Sequence, residues 1–161
     1  MTLILMNIRI AQSADMDAIR QLFQETIENI NQKDYSPAQI QVWAAGAQRI
    51  ANWQKKIQEQ YFVVAEQSDI IVGFASIEMN GYIDFMYIHK DYQNQGIASL
   101  LLKDLETKAA SLSVTKVWAN VSITARPFFK KRGFQITNIS IISLENIEFE
   151  NAAMEKTMVK S

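Results

Sequence analysis

The residues best placed to do chemistry lie between Asp84 and Ser99. The run Met86-Tyr87-Ile88-His89-Lys90-Asp91-Tyr92-Gln93-Asn94-Gln95-Gly96-Ile97-Ala98-Ser99 passes from an apolar strand into a helix. The first turn of a helix presents unpaired N–H groups and the positive end of the macrodipole, and small residues at Gly96 and Ala98 let a phosphate approach the backbone. The passage therefore suits an anion, although the same residues also make an ordinary turn with a glycine ahead of a core helix. Asp84 shares a face with Met86 and Ile88 by the period of two, which offers a base beside the strand. Its other reading is a carboxylate hydrogen-bonded at a strand or turn. Tyr87 and His89 fall on the opposite face, Tyr87 as core packing and His89 as a solvated strand end.

Other chemistries are excluded by what the chain lacks. Its 161 residues include no Cys and one His, which removes disulfides, thiol nucleophiles and the usual zinc sets, so no metal is expected. With glycine only at Gly46, Gly73, Gly81, Gly96 and Gly133, neither GxGxxG nor GxxxxGK[ST] can be written. A Ser-His-Asp triad would have to use His89, and no GxSxG elbow presents a serine. Lys and Arg number 16 against 17 Asp and Glu, a net charge of −1, which argues against nucleic acid or an anionic membrane as partner. No run approaches a membrane span, and the apolar opening from Met1 to Met6 is too short for a signal sequence. A cytoplasmic protein is expected.

A chain of this length can bury roughly 70% of its unfolded surface, and without repeats or linkers it is expected to form one domain over residues 1–161. Residues 3–11 alternate as a first strand. Ser13 then caps a helix with Met16, Ile19, Leu22, Phe23, Ile27 and Ile30 at helical spacing, ending near Asn31. Ser36-Pro37 opens a second helical region, which Ile40, Val42, Trp43, Ile50, Trp53 and Ile57 carry past a break at Gly46. Trp43 and Trp53 read as core. Strands over 61–66, 70–78 and 82–89 follow, joined by Gln67-Ser68-Asp69 and Asn80-Gly81 turns. Gly96 introduces a leucine-rich helix to Ser111. A strand over 116–121, a short helix over 126–132 stopped by Gly133, and strands over 134–144 and 153–159 close the chain. The order predicts an α+β fold, a mixed and mostly antiparallel sheet flanked by helices.

The spacing Gln93-x-x-Gly96-x-Ala98, between an apolar strand and a leucine-rich helix, resembles the acetyl-CoA pyrophosphate motif of the GNAT superfamily of N-acetyltransferases. Ala125-Arg126-Pro127-Phe128-Phe129, running to Gly133-Phe134, resembles that family's second motif, and the element order is similar over nearly the whole chain. The resemblance implies an enzyme that transfers acetyl from acetyl-CoA to a primary amine by direct attack in a ternary complex. It implies that the backbone of Gln95, Gly96, Ile97, Ala98 and Ser99, with Gln93 and Asn94 beside it, cradles the pyrophosphate. Met86 and Ile88 would pair with the pantetheine arm where the fourth and fifth strands splay, and Ser122 and Phe129 would complete the cofactor wall. Asp84 and Ile88 are the catalytic candidates.

Two positions depart from the family pattern. Phe129 stands where many relatives carry a Tyr that protonates the leaving thiolate, and Ser122 where many carry Asn. A phenyl ring has no proton to give. A degenerate member that binds CoA without turnover is therefore the alternative, acting as a sensor or partner module. Asp34 and Tyr35, between the first two helices, lie in the region that in the family walls the acceptor; a helix cap with Tyr35 as hydrophobic staple is the structural reading of the same residues. Lys130, Lys131 and Arg132 can reach toward a nucleotide phosphate or form a solvated helix face. The expected partners are acetyl-CoA and an amine-bearing acceptor, with the chain a monomer or homodimer.

Overall fold

The computed structural model describes residues 6–158. Strands β1 (Met6–Ile10), β2 (Tyr61–Gln67), β3 (Ile70–Ile77), β4 (Tyr82–Ile88), β5 (Lys116–Val121), β6 (Gln135–Leu144) and β7 (Ile147–Thr157) form one sheet in the order β1-β2-β3-β4-β5-β7-β6. All neighbours are antiparallel except β4 and β5. Helices α1 (Met16–Asn29), α2 (Pro37–Ala44) and α3 (Ile50–Glu59) precede β2, α4 (Ile97–Ser111) links β4 to β5, and α5 (Arg126–Lys131) follows β5. The expected α+β architecture is borne out. The first strand's expected start at Leu3 and the last strand's expected end at Val159 lie outside the described residues.

Alternation along the strands divides the core in two. Phe62, Val64 and Phe74 face α1 and α3, where they meet Phe23, Trp53 and Ile57. Val63, Ala65, Val72 and Ala75 face α4, against Leu101 and Leu105. On the first side Trp53 stacks on Phe85 with ring centroids 4.7 Å apart, and Phe62 stacks on Phe74 at 5.7 Å.

Several boundaries differ from the sequence reading. Ser13 does not cap the first helix but opens a 3-10 turn, Ser13–Asp15, with Gln12 at its N-cap, and α1 starts at Met16. The first helix stops at Asn29, and Asn31–Asp34 forms a separate 3-10 turn. Past α2 the chain makes another 3-10 turn, Ala45–Gln48, at the expected Gly46 break. The last strand begins at Ile147 rather than 153, because Glu145 and Asn146 adopt φ of +50° and +64° and close a two-residue hairpin that pairs Leu144 with Ile147. Ser36 caps α2 as expected, exchanging bonds with Gln39 in a capping box.

The feature that positions the site is a bulge in β4. Ile83 opposes Ile77 and Phe85 opposes Ser76, so Asp84 is an extra residue with no partner on β3. Toward β5, β4 pairs only at Tyr82 with Trp118 and Ile83 with Ala119. Beyond the bulge the two strands part.

Gly81 anchors this junction: its φ is +97°, its carbonyl accepts from the Trp118 N–H at 3.1 Å, and a β-carbon there would lie 2.4 Å from the Lys116 carbonyl oxygen. Replacing it with Ala should destabilise the protein by about 2–4 kcal/mol, read as a lower denaturant midpoint with an unchanged slope. A midpoint equal to that of the parent protein would refute this account of the junction.

Candidate functional site

The gap between β4 and β5 opens into a cleft of about 1000 Å³ that runs from the start of α4 to the β6–β7 hairpin. One wall is a strand edge. The His89 N–H donates to the Val72 carbonyl at 2.9 Å, and the register pairs Tyr87 with Phe74. In an antiparallel ladder the hydrogen-bonded residues alternate, so Phe85 and Tyr87 spend their peptide groups, and His89 its N–H, on β3 while Met86 and Ile88 turn theirs to the gap. The Ile88 carbonyl is already engaged, accepting from Thr26 Oγ1 at 2.9 Å and Gln93 Nε2 at 2.8 Å. The open edge therefore consists of both Met86 peptide groups and the Ile88 N–H.

At the end of this edge the chain turns into α4. Asn94 and Gly96 both have positive φ, +59° and +84°, which folds the loop back over the first turn of the helix. A β-carbon on Gly96 would meet no atom within 4 Å. The N–H groups of Ile97, Ala98 and Ser99 head the helix without an intrahelical acceptor. The Ile97 side chain is buried in the core, so only its backbone serves the cleft. Arg132 donates to Ser99 Oγ through Nε at 3.1 Å and through a terminal guanidinium nitrogen, and lies over the Phe128 ring at 5.2 Å. With Lys131 it puts positive charge on the same stretch of wall. Asn94, Gly96, Ile97, Ala98 and Ser99 all line the cleft. Gln95 does not; Gln93 does, and its side-chain amide donates to the Ile88 and His89 carbonyls, pinning the end of β4.

Asp84 requires a correction. It does not share a face with Met86 and Ile88, because the bulge breaks the period of two at that residue. Its Oδ2 accepts from Lys56 Nζ at 2.7 Å and from Gln60 Nε2 at 2.8 Å, both on the α3 side with Phe85. Asp84 nonetheless lines the cleft, at the point where β4 and β5 separate.

Across the gap, Ser122 Oγ accepts from the Ala125 N–H at 3.2 Å and caps the turn into α5. Phe129 is buried, edge-on to Phe128 at 5.3 Å and Phe134 at 5.0 Å, and its ring forms part of the cleft wall. Tyr35 reaches this turn from the amino-terminal half: its hydroxyl oxygen accepts from the Ile123 N–H at 2.8 Å. Its ring meets Trp43 at 5.2 Å and Phe149 at 6.1 Å. Asp34 accepts from Thr124 Oγ1 at 2.8 Å and stands outside the cleft lining, so it ties the loop down instead of facing a ligand. Burial raises the pKa of Tyr35, opposed by the Ile123 N–H and the Arg126 charge; burial likewise raises that of Tyr87. Both phenols are neutral near pH 7.

Several wall residues carried no signal in the sequence. Trp43 reads there as core, and Ile142, Leu144 and Phe149 lie in a hairpin far from either motif, yet all four line the cleft. Lys56 and Gln60, which hold Asp84, carried no signal there either. Among the described residues no group of three or more His, Asp or Glu could hold a metal, and no helix is long and apolar enough to cross a membrane.

Comparison with known proteins gives a consistent family. The model of the Acetyltransferase (GNAT) domain matches residues 31–156. The chain is 31% identical over 147 residues to the uncharacterized N-acetyltransferase YafP of Escherichia coli strain K12, covering 91% of this chain and 93% of that protein. A GCN5-related N-acetyltransferase structure from Rhodopseudomonas palustris superposes with a TM-score of 0.93 at 26% identity, covering 98% and 99% of the two chains. The PaiA N-acetyltransferase of Thermoplasma acidophilum, solved in complex with coenzyme A, superposes with a TM-score of 0.80 at 17% identity, covering 96% and 99%.

The Tyr35 hydroxyl ties the loop after α1 to the β5–α5 turn, so Tyr35→Phe should leave the Ile123 N–H without its acceptor. The expected loss is about 1–2 kcal/mol in chemical denaturation, with faster amide exchange at Ile123. Unchanged stability and exchange would show that the bond contributes nothing.

Proposed function

This chain belongs to the GNAT family of acetyltransferases, and from that premise we propose that it transfers the acetyl group of acetyl-CoA to a primary amine by direct attack in a ternary complex. The observation that carries the proposal is the meeting, in one cleft, of an unpaired strand edge at Met86 and Ile88 with the free N–H groups that begin α4. An extended pantetheine arm finds hydrogen-bond partners on the first, and a pyrophosphate finds them on the second. Open space at Gly96 admits a phosphate close to the backbone, and Lys131 and Arg132 add charge beside it. That the Thermoplasma relative holds coenzyme A supports the same donor here.

Acetyl-CoA supplies a thioester whose carbon the amine attacks. The N–H groups of Met86 and Ile88 serve the thioester carbonyl oxygen and the arm, as fixed donors that need no rearrangement during reaction. The amine must be neutral to attack. Asp84 is the carboxylate in position to receive its proton, directly or through water, and Lys56 and Gln60 hold it by one oxygen so that the other remains for the amine. Phe129 gives no proton to the departing sulfur. A thiol titrates near ~8.5, so its thiolate leaves without a strong acid and takes a proton from water or a neighbouring hydroxyl.

Phe129 also favours a second reading, a CoA-binding module without turnover. A thiol-release assay with acetyl-CoA across a panel of amines separates the two. Release that depends on an amine supports transfer; CoA binding with no release supports the module.

Asp84→Asn keeps the size of the side chain and removes its basicity, and should lower kcat/KM by roughly 10² while acetyl-CoA affinity holds. A full-rate Asn variant would return Asp84 to a purely structural ion pair. Gly96→Val should weaken CoA binding at least tenfold, about 1.4 kcal/mol by calorimetry, in a protein that still folds. Wild-type affinity in the folded variant would sink the pyrophosphate assignment.

A further inference from the structure

The part of the cleft farthest from α4 has a composition that the acetyl donor does not account for. Trp43 and Tyr35 meet edge-on at 5.2 Å, and Trp43 and Phe149 at 6.4 Å, giving three contiguous rings along one wall. Ile142 and Leu144 extend this wall along the β6–β7 hairpin, and Ile142 is 50% exposed. An apolar surface of this kind at the rim of a cleft marks a site for an apolar body.

The charges in the same region are already neutralised. Asp84 pairs with Lys56 at 2.7 Å and Glu150 with Arg126 at 2.8 Å. Lys33, also in the wall, has no carboxylate within ion-pair distance among the described residues. The five charged groups therefore sum to one excess positive charge. A polyamine or aminoglycoside would bring several ammonium groups to a wall whose lining carboxylates, Asp84 and Glu150, are each already paired with a cation. It would also lie against rings that give it nothing but desolvation and cation–π contact. A monoamine brings one ammonium, which loses its proton on reaction, and its carbon body covers the rings.

We propose that the acceptor is a monoamine carrying an aromatic or bulky aliphatic group, bound with that group against Trp43, Tyr35 and Phe149. This rests on the reading of the cleft as the site of acetyl transfer. Trp43 is the specificity-determining residue, because its ring is central to the wall and comes from a helix rather than from a loop.

The test is calorimetric titration of the CoA-saturated protein with phenethylamine and with spermidine, run beside thiol release from acetyl-CoA for the same amines. Phenethylamine should bind at least tenfold more tightly than spermidine. Trp43→Ala should remove most of that advantage without moving CoA affinity, whereas Trp43→Phe, which keeps a ring and guards against a folding defect, should retain it. Spermidine binding as tightly as phenethylamine, or a folded Trp43→Ala protein with undiminished phenethylamine affinity, would overturn the assignment. Phenethylamine binding that depends on Trp43 but brings no thiol release would uphold the amine site and strike only the transfer reading.

Discussion

The site depends on a single extra residue in β4. Because Asp84 has no counterpart on β3, the strand bends after Ile83, and its parallel pairing with β5 ends after two residue pairs. A regular β4 would continue that ladder and consume the peptide groups of Met86 and Ile88. The bulge leaves both Met86 peptide groups and the Ile88 N–H without a strand partner instead, in the middle of a sheet, where an unsatisfied peptide group is costly unless a ligand or water completes it. The extra residue is itself held from below by Lys56 of α3 and Gln60 just after it. The opening and the carboxylate at its apex are thus one construction.

Both ends of the open edge are fixed by other elements. Ile88 is clamped through its carbonyl by Thr26 of α1 and by Gln93 of the following loop. This sets where β4 ends and hence where the amino end of α4 begins, so the strand edge and the helix N–H groups keep a constant separation. Across the gap, Tyr35 and Asp34 fasten the loop after α1 to the turn between β5 and α5. The two sides of the cleft are joined by hydrogen bonds between segments about ninety residues apart in the chain.

Electrostatics divides the cleft along its length. Near α4, free backbone N–H groups, the helix dipole and the Lys131 and Arg132 side chains all favour an anion. Toward the hairpin, the lining carboxylates Asp84 and Glu150 each have their own cation, and Tyr35, Trp43, Ile142, Leu144 and Phe149 give the wall an aromatic and aliphatic stretch. Asp84 lies between these two stretches, where β4 and β5 separate.

Much of this was legible in the sequence. The order of strands and helices, the Ser36-Pro37 helix start, the break at Gly46 and the strand-to-helix turn at Gly96 are written in patterns a few residues long, because capping, turn conformation and amphipathic period are local properties. The excluded chemistries followed from counting Cys, His and Gly. The face of Asp84 was not legible, since a bulge is fixed by the pairing register with β3, and counting by twos fails at the residue where it matters. The start of β7 at Ile147 is fixed by the two-residue Glu145-Asn146 turn, whose residues are not the Asn-Gly or Gly-rich pairs that mark a hairpin in sequence, so the alternation of Ile147 and Phe149 with glutamates had no turn to attach it to β6. The wall of Tyr35, Trp43 and Phe149 was hidden for a simpler reason. Its members come from a loop, a helix and a strand, and only the packing of α2 against β7 brings them together. Sequence determined the elements and the strand-to-helix turn at Gly96 through local chemistry; tertiary structure decided the direction of the Asp84 carboxylate and the aromatic lining of the far end of the cleft, because both depend on contacts between distant segments.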